Sequence, residues 1–310
     1  MTLKELLQTK GERLDKVPED LISVIEKQEE KVFKQVIKDL DKLEVKEGKI
    51  VASKKNLALI NGILENLKKV IFGSEYLQAI KIFANEISVQ AGLTNTIMQK
   101  TVEDFSDDEM FKSTVKVSQL NALALLDESA IESNFLQPIA EILTNSIVSE
   151  MRFTDAIETL RNSMVGETAI YSKYAKTYIK DAFAVADRQY SELVAKKNGI
   201  EFYRYSGVKV EATRDFCNER VGKTFHRREI EDWGRFKNTD KSIFDYPKKV
   251  YTTKAGVDIY WAGMNYNTNS ANIFSYLGGY ECNHNLVPVA TYAVSKEDKD
   301  RAKRLGYFTE

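Results

Sequence analysis

Cysteine and histidine are almost missing from this chain. It holds two of each in 310 residues, and all four lie late: Cys217, His226, Cys282 and His284. The scarcity excludes a disulfide-rich scaffold, since two cysteines can close one bridge and no more. It also confines any thiol or imidazole chemistry to the last third of the chain. Long apolar runs are missing too: none approaches the roughly 18 residues a membrane-spanning helix needs. Met1-Thr2-Leu3-Lys4-Glu5 leads into charged sequence without the apolar stretch of a signal peptide. These absences predict a protein made in a reducing cytoplasm, where a disulfide would be unusual. An excess of one charge is lacking as well, with 45 Lys+Arg against 46 Asp+Glu. That balance argues against the strongly basic surface that grips duplex DNA by its phosphates. The spacings of a phosphate-binding loop, a dinucleotide-binding turn and the common hydrolase, kinase and metalloprotease signatures are also absent.

What is present divides unevenly. Residues 201–310 carry 19 of the 32 aromatic residues, both tryptophans and 8 of the 15 glycines. Residues 1–200 are rich in Lys, Glu, Leu, Ile and Ala. The composition predicts an α+β protein: an N-terminal multi-helix domain, then a small mixed α/β, loop-rich C-terminal domain.

The first part reads as consecutive helices. Pro18-Glu19-Asp20 is a good start, because proline in the first turn forfeits no needed hydrogen bond and acids favour the positive helix end. Ile22, Ile25, Val32, Phe33, Val36, Ile37, Leu40 and Leu43 then keep a helical period. Glu47-Gly48-Lys49 is the expected break. Further helices are expected over 53–72 and 74–103, with Gly73 between them. Another should follow the capping-box spacing Ser106/Glu109, and one should begin at Pro138. The last and clearest should place Ala175, Tyr178, Ala182, Val185, Ala186 and Leu193 on one face and stop at Gly199.

The C-terminal part opens on an alternating strand pattern, Ile200 to Ser206. A first block follows, Thr213-Arg214-Asp215-Phe216-Cys217-Asn218-Glu219-Arg220-Val221-Gly222-Lys223-Thr224-Phe225-His226. The second is Gly278-Gly279-Tyr280-Glu281-Cys282-Asn283-His284-Asn285-Leu286-Val287-Pro288-Val289. In this order the blocks, with Tyr174-Ala175-Lys176-Thr177 and the Gly199-Ile200 step before them, resemble the C-terminal domain of phage Mu protein F-like minor head proteins, the head morphogenesis family. The likeness covers about residues 150–292. Where relatives often have arginine between the final cysteine and histidine, this chain has Asn283.

The resemblance implies a division into a helical domain (1–150) and a Mu F-like domain (151–310). The latter would comprise a long helix (166–198), a small α+β unit (200–292) and a short C-terminal helix capped by Ser295. It implies a non-enzymatic minor capsid protein, in several copies per virion. The protein would bind portal or coat protein during capsid assembly, DNA packaging or ejection, with at most non-specific DNA contact. It would be found in the host cytoplasm and then the mature head. The alternative from another class is a small nuclease or toxin-like enzyme using the Cys/His cluster.

For Cys217, His226, Cys282 and His284 three readings stay open: a structural zinc site, buried hydrogen-bonded side chains without metal, or a disulfide with two free histidines. The spacings, C-x8-H and C-x-H, are not the paired C-x2-C knuckles of common zinc modules. Gly278-Gly279 reads as a turn needing positive φ. Arg214 and Arg220 with Asp215 and Glu219 read as local ion pairs and a helix cap. Trp233, Trp261, Tyr276 and Tyr280 read as core. If the two blocks share one core, Cys217 should lie close to Cys282 and His284.

Overall fold

Helix dominates, as the Lys-, Glu-, Leu- and Ala-rich first part predicts. The structure, a computed structural model, describes residues 1–102, 105, 109–166, 169–235, 251–252, 258–259, 261, 264–265 and 267–309. The order is α1 (Leu3–Leu40), β1 (Val45–Lys46), β2 (Lys49–Ile50), α2 (Lys54–Ile71), α3 (Ser74–Thr101), α4 (Glu109–Ala124), α5 (Glu128–Ile131), a π-helical turn (Glu132–Leu136), α6 (Gln137–Val148) and α7 (Phe153–Met164). Then come α8 (Ile170–Lys197), β3 (Phe202–Ser206), α9 (Asp215–Asn218), β4 (Thr224–His226), α10 (Arg227–Trp233), β5 (Tyr251–Thr252) and β6 (Asp258–Ile259). The chain closes with α11 (Ile273–Tyr276), β7 (Asn285–Val289), a 3-10 turn (Thr291–Ala293) and α12 (Lys296–Arg304). The chain is α+β, with a multi-helix region and a small antiparallel sheet in its C-terminal part.

Several boundaries fall where local chemistry puts them. Ser53 caps α2 by accepting from the Asn56 N–H, and Ser295 caps α12 by accepting from the Asp298 N–H. Helix α8 stops in a Schellman pair, Gly199 N–H to Lys196 C=O and Ile200 N–H to Ala195 C=O, with Gly199 at φ +66°.

Others depart from expectation. Helix α1 starts at Leu3 and carries Pro18 inside it. Leu14 and Val17 are buried in phase with Leu21, Ile22 and Ile25, and that continuous apolar stripe outweighs the roughly 3 kcal/mol cost of an internal proline. Gly48 does not end α1, which stops at Leu40. Glu47 and Gly48, both at positive φ, make the two-residue turn between β1 and β2. Pro138 stands in the first turn of α6, as the sequence predicts. What the sequence does not show is that α6 continues directly from α5, capped by Asp127, through the π-helical turn, where the backbone ladder is already rearranged. Glu109 begins α4, while the Ser106 half of the expected capping box lies outside the described residues.

The chain forms two compact units, and neither is a continuous stretch of sequence. One gathers Met1–Asp15, Ile87–Gln119 and Lys180–Glu310; the other gathers Lys16–Glu86 and Leu120–Ile179. The division expected at 150/151 is therefore not where the units part. Helices α1, α3, α4 and α8 each contribute residues to both, because a long amphipathic helix can bury successive turns in different cores.

In the unit containing the C-terminal part, β3 is the central strand of an antiparallel sheet in the order β4-β3-β7. Tyr203 and Tyr205 of β3 enter a core with Phe216, Phe225, Trp233, Trp261, Phe274 and Leu277. Tyr276 and Tyr280, expected in that core, are only half-buried. The buried face of α8 also differs from the apolar reading. Tyr178 is exposed, while the polar trio Asp187, Arg188 and Ser191 is buried beside Ala184, Ala186 and Tyr190. The reason lies in the site those polar groups serve.

Candidate functional site

The two sequence blocks come together. Helix α9, a single turn, carries Cys217; the turn after α11 ends on Cys282; His284 stands immediately before β7. Cys217 Sγ is 3.9 Å from Cys282 Sγ, which is 3.7 Å from His284 Nδ1. One donor atom from each residue fits within a 4.8 Å span, and all three residues are buried. Both cysteines are free thiols.

The turn that presents Cys282 is backbone under constraint. Leu277 (φ +41°) and Glu281 (φ +57°) occupy the left-handed region without being glycine, each at a cost of about 1–3 kcal/mol. Gly279 (φ +94°) meets the expectation of a positive-φ turn. Gly278 does something different: a Cβ there would sit 2.5 Å from Cys217 Sγ and 2.9 Å from Cys282 Sγ, so the bare backbone lies against both sulfurs.

Three side chains hold this turn by its carbonyls. Arg188, buried in α8, donates to the carbonyls of His284 (2.9 Å), Ser275 (2.9 Å) and Cys282. Arg214 donates to Tyr280 C=O (2.7 Å) and to Gly278 C=O at the long limit of 3.4 Å; Trp261 Nε1 donates to Gly278 C=O at 3.1 Å. Arg214 is therefore a long-range clamp, not the local ion pair expected. Arg220 keeps the expected local pair, 3.7 Å from Glu219, and donates to Phe216 C=O at 2.6 Å. Fully buried, its guanidinium also lies over the rings of Phe216 (3.9 Å) and Trp233 (4.6 Å).

The electrostatics separate the two thiols. The hydrogen bond from Cys217, with Arg188 and His284 nearby, holds the Cys282 thiol well below its ordinary value despite burial. The same hydrogen bond, aided by burial, pushes the Cys217 thiol up. Tyr205 donates to Cys217 Sγ at 3.3 Å, and its ring packs 5.5 Å from that of His284.

Cys217, Cys282 and His284 all line a cavity of about 900 Å³, whose walls also include Asp15, Arg204 and Glu281. Beside it lies a buried polar network: Lys10 Nζ is 3.0 Å from Asp187 Oδ2 and 3.1 Å from Ser191 Oγ, and Asn285 donates to Asp187 Oδ2 at 3.0 Å. This network explains why α8 turns polar residues inward.

His226 is not part of the cluster. It ends β4, accepts at Nδ1 from the Arg228 N–H as the cap of α10, and packs edge-on against Phe202 and near Tyr307 and Phe308. The four-residue site expected from the sequence thus reduces to three. Sheet register is the cause, because His226 pairs with Phe202 while β7 begins opposite Ser206 at the other end of β3. Sequence reading missed Arg188, Asp187 and Tyr205. The only available signal was a charged pair, Asp187-Arg188, interrupting the apolar face of α8.

Comparison with protein-family models, with curated proteins and with solved structures finds no match. Among the described residues no helix is long and apolar enough to cross a membrane.

Proposed function

We propose that this chain is a phage minor head protein of the Mu F-like kind, a structural component that binds portal or coat protein during head assembly, DNA packaging or ejection. The observation that carries the reading is the meeting of the two blocks on which the resemblance rests. Cys217 of the first lies beside Cys282 and His284 of the second, in one unit and against one turn. The buried residues of the cluster act as framework in this reading, and no residue carries catalysis. The protein is present in several copies per virion and passes from the host cytoplasm into the head. The near-zero net charge limits DNA contact to weak, salt-sensitive attraction.

The test uses the full chain, because residues 1–15 and 87–119 belong to the same unit as the sheet and a truncation would dismantle it. Purified protein is mixed with the portal and the coat protein of a host-matched phage and sedimented. Co-sedimentation with either is expected. Failure to associate with both would overturn the reading. So would cleavage of nucleic acid by the purified protein if His284→Ala abolishes it without unfolding the chain.

A further inference from the structure

We infer that Cys217, Cys282 and His284 form a zinc site with three protein ligands, and that its fourth coordination position opens to the adjoining cavity. The donor set is right for the ion, since thiolate sulfur and imidazole nitrogen are the ligands zinc prefers. The spacing is right as well. With Zn–S near 2.3 Å and Zn–N near 2.0 Å, tetrahedral ligands stand about 3.8 Å apart for S···S and about 3.5 Å for S···N. The observed separations are 3.9 Å and 3.7 Å. Two of the three pairs thus already stand near tetrahedral separations, and the third, Cys217 to His284, lies within 4.8 Å.

The surroundings fit a metal better than a disulfide or a plain core. Gly278 keeps the space between the two sulfurs free of a side chain. His284 Nε2 is buried without a hydrogen-bond partner among the described residues, a loss that a core histidine would be expected to avoid.

The fourth position follows from what is missing from the donor set. His226 is committed to capping α10, and no fourth Cys, His, Asp or Glu joins the cluster among the described residues. All three ligands line the cavity, so water or a small anion from that side completes the tetrahedron. The ion would tie α9 to the turn before β7, closing a loop of 65 residues. This inference stands on its own geometry and does not depend on the virion reading.

The experiment is metal analysis of the full-length protein purified under reducing conditions from zinc-supplemented medium. One zinc per chain is expected. His226→Ala should retain it, whereas Cys217→Ser, Cys282→Ser and His284→Ala should drop it to near zero. Because those three variants can fail to fold, the wild-type protein is also stripped and titrated with cobalt(II) alone. Intense tetrahedral absorption with a thiolate charge-transfer band is expected, and added azide should shift it. Zinc-free protein that gives no such cobalt spectrum, loss of zinc in a folded His226→Ala variant, or a Cys217–Cys282 disulfide in the reduced preparation would overturn the site. A cobalt spectrum indifferent to azide would overturn the open fourth position.

Discussion

Gly278→Ala offers the sharpest test of the packing around the cluster. The residue is not at positive φ, so the substitution carries no backbone penalty, and its whole cost is steric. The new methyl would stand 2.5 Å from Cys217 Sγ and 2.9 Å from Cys282 Sγ, where ordinary contact begins at about 3.5 Å. Neither sulfur has room to retreat: Cys217 is 2% exposed and hydrogen-bonded to Tyr205, and Cys282 is 3% exposed. Overpacking of this kind costs about 1–3 kcal/mol, and two displaced atoms place it at the upper end. Stiffening of the unfolded chain returns about 0.4–1 kcal/mol. The net expectation is a loss of about 2 kcal/mol, roughly a 30-fold fall in the folding equilibrium constant. Urea unfolding of chelator-treated, reduced protein measures it free of any metal contribution. Tryptophan fluorescence is the probe, because Trp233 and Trp261 share the core with both cysteines. Thiol labelling of the native state supplies a second readout, and the variant should react faster. Gly62→Ala is the control: in α2, with nothing near its added methyl, it should stabilise by about 0.5–1 kcal/mol. A Gly278→Ala protein within about 0.5 kcal/mol of wild type, with thiols equally protected, would refute the reasoning.

Arg188→Met should be more damaging, because it leaves the carbonyls of His284, Ser275 and Cys282 buried without their donor at about 1–3 kcal/mol each; a loss below about 1 kcal/mol in urea unfolding would contradict the clamp. Burial, only partly offset by Arg301, pushes the Glu229 carboxyl up to about 6 from 4.5. The folded state therefore binds that proton more tightly than the unfolded chain does. The associated stability, about 2 kcal/mol, is complete below pH 4.5 and lost as pH rises through 6, so Glu229→Gln should flatten the stability profile in that window. An unchanged slope would show that Glu229 is not the group responsible. Ser295→Ala should cost about 1 kcal/mol through loss of the α12 cap, seen as a lower melting temperature.

The legible parts of this protein are those whose causes lie within a few residues. Ser53, Ser295 and Gly199 set helix ends through bonds to neighbours three to five positions away, so the sequence carries them openly. The apolar stripe of α1 and the strand preceding the first block are likewise periodic signals that need no partner to be read. The concentration of all four thiol and imidazole groups in the last third also located the site. Which of them belong to it did not follow from spacing. His226 and His284 are similar residues in similar contexts, and only strand register sends one to an aromatic cap and the other to the thiols. Arg188 looks like a surface charge until the carbonyls it serves arrive from residues 275, 282 and 284. The same holds for the two compact units, assembled from segments far apart in the chain. Local hydrogen bonds and periodicity involve only nearby residues, whereas a buried polar group or a shared core is defined by whichever distant segments the fold closes around it.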